Sequence, residues 1–166
     1  MRSLYPLLLF IGSLFSNQTL AKGPCESAQH QQFNFWLGSW QVLKPDGSEA
    51  GINHITSNHG GCVLSESYRT KTGYQGESLN IYDASRNVWH QTWVDNTGLL
   101  LKLEGKFDGS SMVLQGKTKD QSGKYTLHKI TWTPNKNGTV RQHWQTAQTK
   151  DQWQTAFDGL YVKLGS

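Results

Sequence analysis

Residues 88–94 read VWHQTWV, 95–98 read DNTG, 99–107 read LLLKLEGKF and 108–109 read DG, before a further run, MVLQGKT, at 112–118. Each run is short and rich in aromatic, aliphatic and Thr residues that suit an extended, half-buried chain. Each break carries Asp, Asn or Gly. Asp-Gly and Asn-Gly breaks are hairpin chemistry, because Gly takes the positive φ that a tight turn requires. The spacing therefore predicts consecutive antiparallel strands joined by short hairpins.

The same rhythm extends in both directions. Strand-like runs cover Phe35–Leu43, Ala50–Ser57, Val63–Thr70, Glu77–Tyr82, Val88–Val94, Leu99–Phe107, Met112–Thr118, Tyr125–Thr133, Val140–Ala147 and Thr155–Leu164. No run has a sustained helical period. Glu26 to Gln32 is the one stretch read as a helical turn or an arm. Ten strands on short links must hide their edges in a sandwich or a closed barrel. A sandwich needs long crossovers and a propeller needs a blade-length repeat, and neither is present. The echo of Trp144-Gln145-Thr146-Ala147 in Trp153-Gln154-Thr155-Ala156 has hairpin spacing. The expectation is all-β: an antiparallel up-and-down barrel of about ten strands.

Composition agrees. The chain has 166 residues, of which 36% are hydrophobic, 11% aromatic and only 17% charged, unlike a disordered chain. Residues 1–21, MRSLYPLLLFIGSLFSNQTLA, have a basic start, an apolar middle and small residues at a cleavage position. They read as a secretory signal peptide. The expected organisation is a signal peptide at 1–21, an N-terminal arm at 22–34 and one barrel domain at 35–166. Export leads to a periplasmic or secreted protein without stable membrane insertion. In such a compartment Cys25 and Cys62 most simply form one disulfide. A metal site is the weaker reading, since no CxxC pair, third thiol, HxH or HExxH is present. The net charge of +4 comes from lysines spaced singly, such as Lys102, Lys106, Lys117 and Lys119, so no nucleic-acid partner is expected.

The chemistry-bearing residues lie on strands. Alternation places Trp89, Gln91, Trp93 and Asp95 on one face, Gln142 and Trp144 on another, Leu64, Glu66 and Tyr68 on a third, and Asn80 and Tyr82 on a fourth. Aromatic rings with a few polar heads are what a ligand cavity needs. A packed core with self-satisfied polar groups has the same pattern, and Val88, Val94, Leu79 and Ile81 on the opposite faces compete for the interior. The candidate lining is Glu66, Asn80, Tyr82, Gln91, Trp93, Gln142 and Trp144, with Arg141 as an anion contact or a surface residue. A small amphipathic ligand and a monomer are expected. Glu66, if buried, has a raised pKa and suits acid–base work, which makes a small barrel enzyme the second class. A third is a module binding envelope protein or polysaccharide, favoured if Trp89 and Trp93 turn outward. No cofactor is expected. The one the composition admits is haem, ligated by His90, His128 or His143, each more at home on the surface.

Two resemblances follow from motifs. Gly38-Ser39-Trp40 opens the first strand and resembles the G-x-W signature of lipocalin-like (calycin-type) barrels. There the Trp plugs the closed end and a basic residue of the last strand stacks on it. Lys163 stands where that family carries Arg. Over most of the chain, Phe33 to Trp40, Gly61 to Glu66, Ser78 to Asp83, Trp89 to Asp95, Ile130 to Pro134, Val140-Arg141-Gln142 and Phe157-Asp158-Gly159 are similar to a family of small exported bacterial proteins of unassigned function. That resemblance implies a periplasmic or secreted bacterial barrel and carries no activity with it.

Overall fold

The computed structural model describes residues 23–165; the expected signal peptide lies outside the described residues. Ten strands follow in chain order: β1 Gly38–Leu43, β2 Glu49–Asn58, β3 Val63–Arg69, β4 Gln75–Asp83, β5 Val88–Asp95, β6 Leu100–Phe107, β7 Met112–Lys119, β8 Tyr125–Pro134, β9 Val140–Ala147 and β10 Gln154–Lys163. Each pairs antiparallel with its sequence neighbours, and β10 pairs back onto β1, so the sheet closes as an up-and-down barrel. The strand count and order are those the turn chemistry predicts, and the barrel fits a lipocalin-like fold. Closure removes both sheet edges, which ten short exposed strands would otherwise offer for aggregation. The Trp-Gln-Thr-Ala echo lies in the β9–β10 hairpin, where Thr155 pairs with Gln145. Among the described residues no helix is long and apolar enough to cross a membrane.

Closure also decides which face of each strand is inside. Trp89 and Gln91 are 2% exposed, whereas Leu79 is 59% and Val94 48% exposed. The mixed aromatic and polar faces point inward, and the aliphatic faces of β4 and β5 point to solvent. A barrel grows wider with strand number, and eight strands already leave an interior just wide enough for side chains to fill. Ten strands need large rings and long polar side chains to occupy the middle. Buried Leu and Val on β1, β3, β6, β7 and β9, such as Val42, Leu64, Leu103, Leu114 and Val140, pack around them.

One end of the barrel is plugged. The chain from Gly23 to Leu37 runs through consecutive turns and drives Phe33 and Trp36 into the interior, where both are fully buried. The first predicted run begins at Phe35, but residues Asn34–Trp36 form a 3-10 turn and the strand starts at Gly38. The reason is packing: Phe33 stacks on Trp36 at 5.0 Å between ring centroids and meets Trp132 and Trp89 edge-on at 5.2 and 5.6 Å. An extended start would leave these rings outside. The Cys25–Cys62 disulfide, as expected from the pairing of the two cysteines, ties this segment to the link between β2 and β3. Lys163 lies 4.5 Å from the centroid of the Trp40 ring and donates to the Leu37 carbonyl at 2.9 Å. This is the cation–indole stack expected from the G-x-W motif. Gly38 makes it possible: its φ of +134° is a backbone region for glycine, and a Cβ there would meet Lys163 Nζ at 2.6 Å.

Candidate functional site

The other end of the barrel is open. Its rim is formed by the β1–β2, β3–β4, β5–β6, β7–β8 and β9–β10 hairpins, and a cavity of about 290 Å³ descends from it. Tyr68, Tyr74, Trp93, Trp144 and Phe157 provide aromatic walls, and Leu101 and Ile130 provide aliphatic ones. Glu66, Gln91, Gln142 and Tyr161 supply the polar groups. Lys44, on the exposed rim, is the only cation in the lining. The walls follow from local features. Gly76 on β4 leaves room for the Trp93 indole, which lies inside contact distance of where a Cβ would sit. A bulge in β10 between Thr155 and Phe157 brings Ala156 as well as Phe157 to the cavity. Bulges of this kind re-aim side chains at barrel rims.

Beneath the cavity lies a chain of buried hydrogen bonds. Glu66 accepts from Asn53 Nδ2 at 2.7 Å and from Ser78 Oγ at 2.6 Å. Ser78 Oγ in turn accepts from Asn80 and Gln91, and Gln91 also donates to Asn80 Oδ1 at 2.8 Å. On the other side Asn53 donates to the Tyr161 hydroxyl, which donates to Gln142 Oε1. Asn53 Oδ1 is buried with no partner. Such a network is rigid while satisfied and costly wherever a member is not.

The only acid in the lining is Glu66, and it is 6% exposed. Burial pushes its carboxyl up to about 7, against hydrogen bonds from Ser78 and Asn53 that favour the carboxylate. Burial and the Glu66 charge both push the Tyr161 hydroxyl well above the ordinary tyrosine value, and push Tyr68 up to about 12. Asp95 sits behind the aromatic wall, accepting from the Tyr74 hydroxyl at 2.9 Å and from Trp93 Nε1 at 3.3 Å. Burial raises its pKa, but hydrogen bonds from Thr97, Tyr74 and the Leu99 amide outweigh that and hold it at about 2.

Of the residues singled out from the sequence, Glu66, Gln91, Trp93, Gln142 and Trp144 come together at this cavity. Asn80 lies one layer deeper, in the network. Two are elsewhere. Tyr82 sits towards the plugged end, with its hydroxyl on Asn87 Oδ1 and its ring against Trp89 and His30. Arg141 is on the outer wall and commits its guanidinium to both oxygens of Asp158, at 2.8 and 2.6 Å. The physical reason is parity: Gln142 and Trp144 face in, so Arg141 between Val140 and Gln142 faces out.

Trp89 and Trp93 also face in, which removes the feature that favoured an outward Trp platform. His90 and His143 are on the outer wall, as expected, bonded to Glu104 and Thr155. His128 is instead buried, with Thr118 Oγ1 at 2.8 Å from one ring nitrogen and Trp144 Nε1 donating to the other. Burial pushes its pKa down. Among the described residues no group of three or more His, Cys, Asp or Glu side chains is arranged to hold a metal.

Sequence reasoning missed Tyr74, Phe157 and Tyr161 in the lining and Asn53 and Ser78 in the network. For Asn53 and Ser78 the signal was present, as they alternate with Ile55 and Asn80. Phe157 likewise alternates with Gly159 and Tyr161, beyond the bulge, whereas Tyr74 lies in a hairpin, where alternation says nothing. No protein-family model matches the chain, and no curated protein matches it.

Proposed function

We propose that this protein is an exported binding protein that holds a small amphipathic molecule inside its barrel. The observation that carries the reading is the open cavity, with aromatic walls and a buried polar floor at one place. This is the composition of a small-molecule site: apolar lining, and a few polar groups that fix orientation. The disulfide supports an oxidising compartment. The leader-like residues 1–21 and the resemblance to small exported bacterial proteins support the same assignment, with cleavage after Ala21.

The test is native mass spectrometry on protein purified gently from its own envelope. The expected result is a mature chain beginning at Lys22 with a reproducible bound mass, retained in Arg141→Ala and lost in Ala156→Trp, which narrows the mouth. A clean ligand-free mass in the wild type at all purification strengths overturns the reading. A second reading draws on Glu66, whose carboxyl is poised near neutrality where general acid–base catalysis is most effective. Turnover of the bound molecule that disappears in Glu66→Gln while binding persists would favour the enzyme.

A further inference from the structure

We propose that the molecule bound in the barrel is a small organic cation, an amine or quaternary ammonium, with its charge against Glu66 and its body between the aromatic walls. The proposal rests on the cavity being a binding site and adds the chemical class of the ligand.

Three features of the geometry point this way. First, Glu66 is a buried carboxyl whose hydrogen-bond partners, Asn53 and Ser78, are both neutral. A buried carboxylate without a counter-charge is costly, and a ligand ammonium at the cavity floor supplies one. Second, the walls are ring systems. A cation is attracted to the negative faces of Trp, Tyr and Phe, and the attraction grows when water is excluded. Third, the fixed charge beside the wall has the same sign as Glu66. Asp95 accepts from both Tyr74 and Trp93, so two of the wall rings are hydrogen-bonded to a carboxylate. An anionic ligand would meet Glu66 and Asp95 and find no arginine or lysine on the floor. Arg141 is outside and paired, and Lys44 is at the solvent edge.

The groups around Glu66 give the binding a proton signature. Asn53 faces it from β2, Ser78 from β4, and Tyr161 lies beyond Asn53 on β10. The titratable neighbours are Tyr68 and Tyr161, and burial keeps both protonated. Below neutral pH Glu66 carries a proton, so an ammonium that stabilises the carboxylate expels it to solvent. Cation binding therefore releases a proton and tightens as the pH rises towards neutrality.

The experiment uses three probes sharing one phenyl group: 2-phenylethylamine, 2-phenylethanol and 3-phenylpropanoate. Titration calorimetry of the full mature chain at about pH 6.5, near the point where burial holds the Glu66 proton, in two buffers of different ionisation enthalpy gives affinity and proton exchange together. The expected result is an amine bound about ten-fold or more tighter than the alcohol or the carboxylate, with proton release. Glu66→Gln should abolish that preference and the proton release while leaving the alcohol's affinity within about three-fold. Trp93→Leu should weaken the amine by about three-fold or more beyond any effect on the alcohol, independently of the Glu66 network. Alcohol binding equal to amine binding, or a preference that survives Glu66→Gln, overturns the cation and leaves the cavity reading intact. Binding of none of the three at millimolar probe by a chain that also shows no retained mass overturns both.

Discussion

Glu66→Gln should make the protein more stable at alkaline pH and leave it nearly unchanged at acid pH. The carboxyl binds its proton with a pKa of about 7 in the fold against 4.5 in the unfolded chain. Between those values the folded state holds more protons than the unfolded state, so stability falls as the pH rises through this window. The loss is complete above the folded pKa, and a separation of this size corresponds to about 3 kcal/mol. Gln has the same shape and no charge, so the penalty disappears. It also brings an amide donor next to Asn53, whose Oδ1 has no partner, and a flip of that amide gives the new N–H an acceptor. The assay is urea unfolding followed by tryptophan emission, with the disulfide intact, from about pH 3.5 to about pH 8.5, which spans the linkage window. The difference between variant and wild type should grow from near zero to about 3 kcal/mol across that range. In thermal melts it should reach roughly 10 °C. Surface carboxylates such as Asp46, Asp108 and Asp120 have lowered pKa values from local hydrogen bonds and titrate in both proteins, so they cancel in the difference. A difference that does not change with pH, or Gln less stable at all pH values, would refute the claim that burial governs this carboxyl.

Other outcomes follow from the plugged end. Removing the Cys25–Cys62 link, which closes a separation of 37 residues, should cost about 4 kcal/mol in denaturant unfolding, an upper figure from loop entropy. Phe33→Ala deletes a fully buried ring between Trp36, Trp89 and Trp132 and should cost about 3–5 kcal/mol, with a red shift of tryptophan emission as water reaches the plug. Lys163→Met should cost about 1 kcal/mol and Lys163→Arg should restore it, since the cation over Trp40 rather than the stem carries the effect; equal losses in both would refute this.

Much of this molecule is written in local chemistry. Gly, Asp and Asn punctuate the chain at hairpin spacing, so strand number and order follow from turns alone, and closure follows from the need to hide two edges. Gly38-Ser39-Trp40 and Lys163 announce the plugged end, and two cysteines in a chain with a leader-like start announce their bond. Alternation alone groups Gln91 with Trp93, and Gln142 with Trp144. What alternation cannot supply is the choice between the two faces it defines. Leu79 and Val94 are as apolar as an interior demands, yet they lie outside. That choice belongs to the closed ring of ten strands, in which β4 and β5 turn their rings and polar groups inward, where the polar groups find partners on other strands, and leave Leu79 and Val94 outside. Pairing of β9 with β10 places Arg141 against Asp158 on the outer wall, and a bulge at Ala156 leaves Thr155 outside while Phe157 keeps the inward phase of Gly159 and Tyr161. The burial that lifts the Glu66 carboxyl towards neutrality is also a property of the assembled barrel. Charge in a low-dielectric interior is governed by what surrounds it from every strand, and a single strand carries no record of its opposite wall.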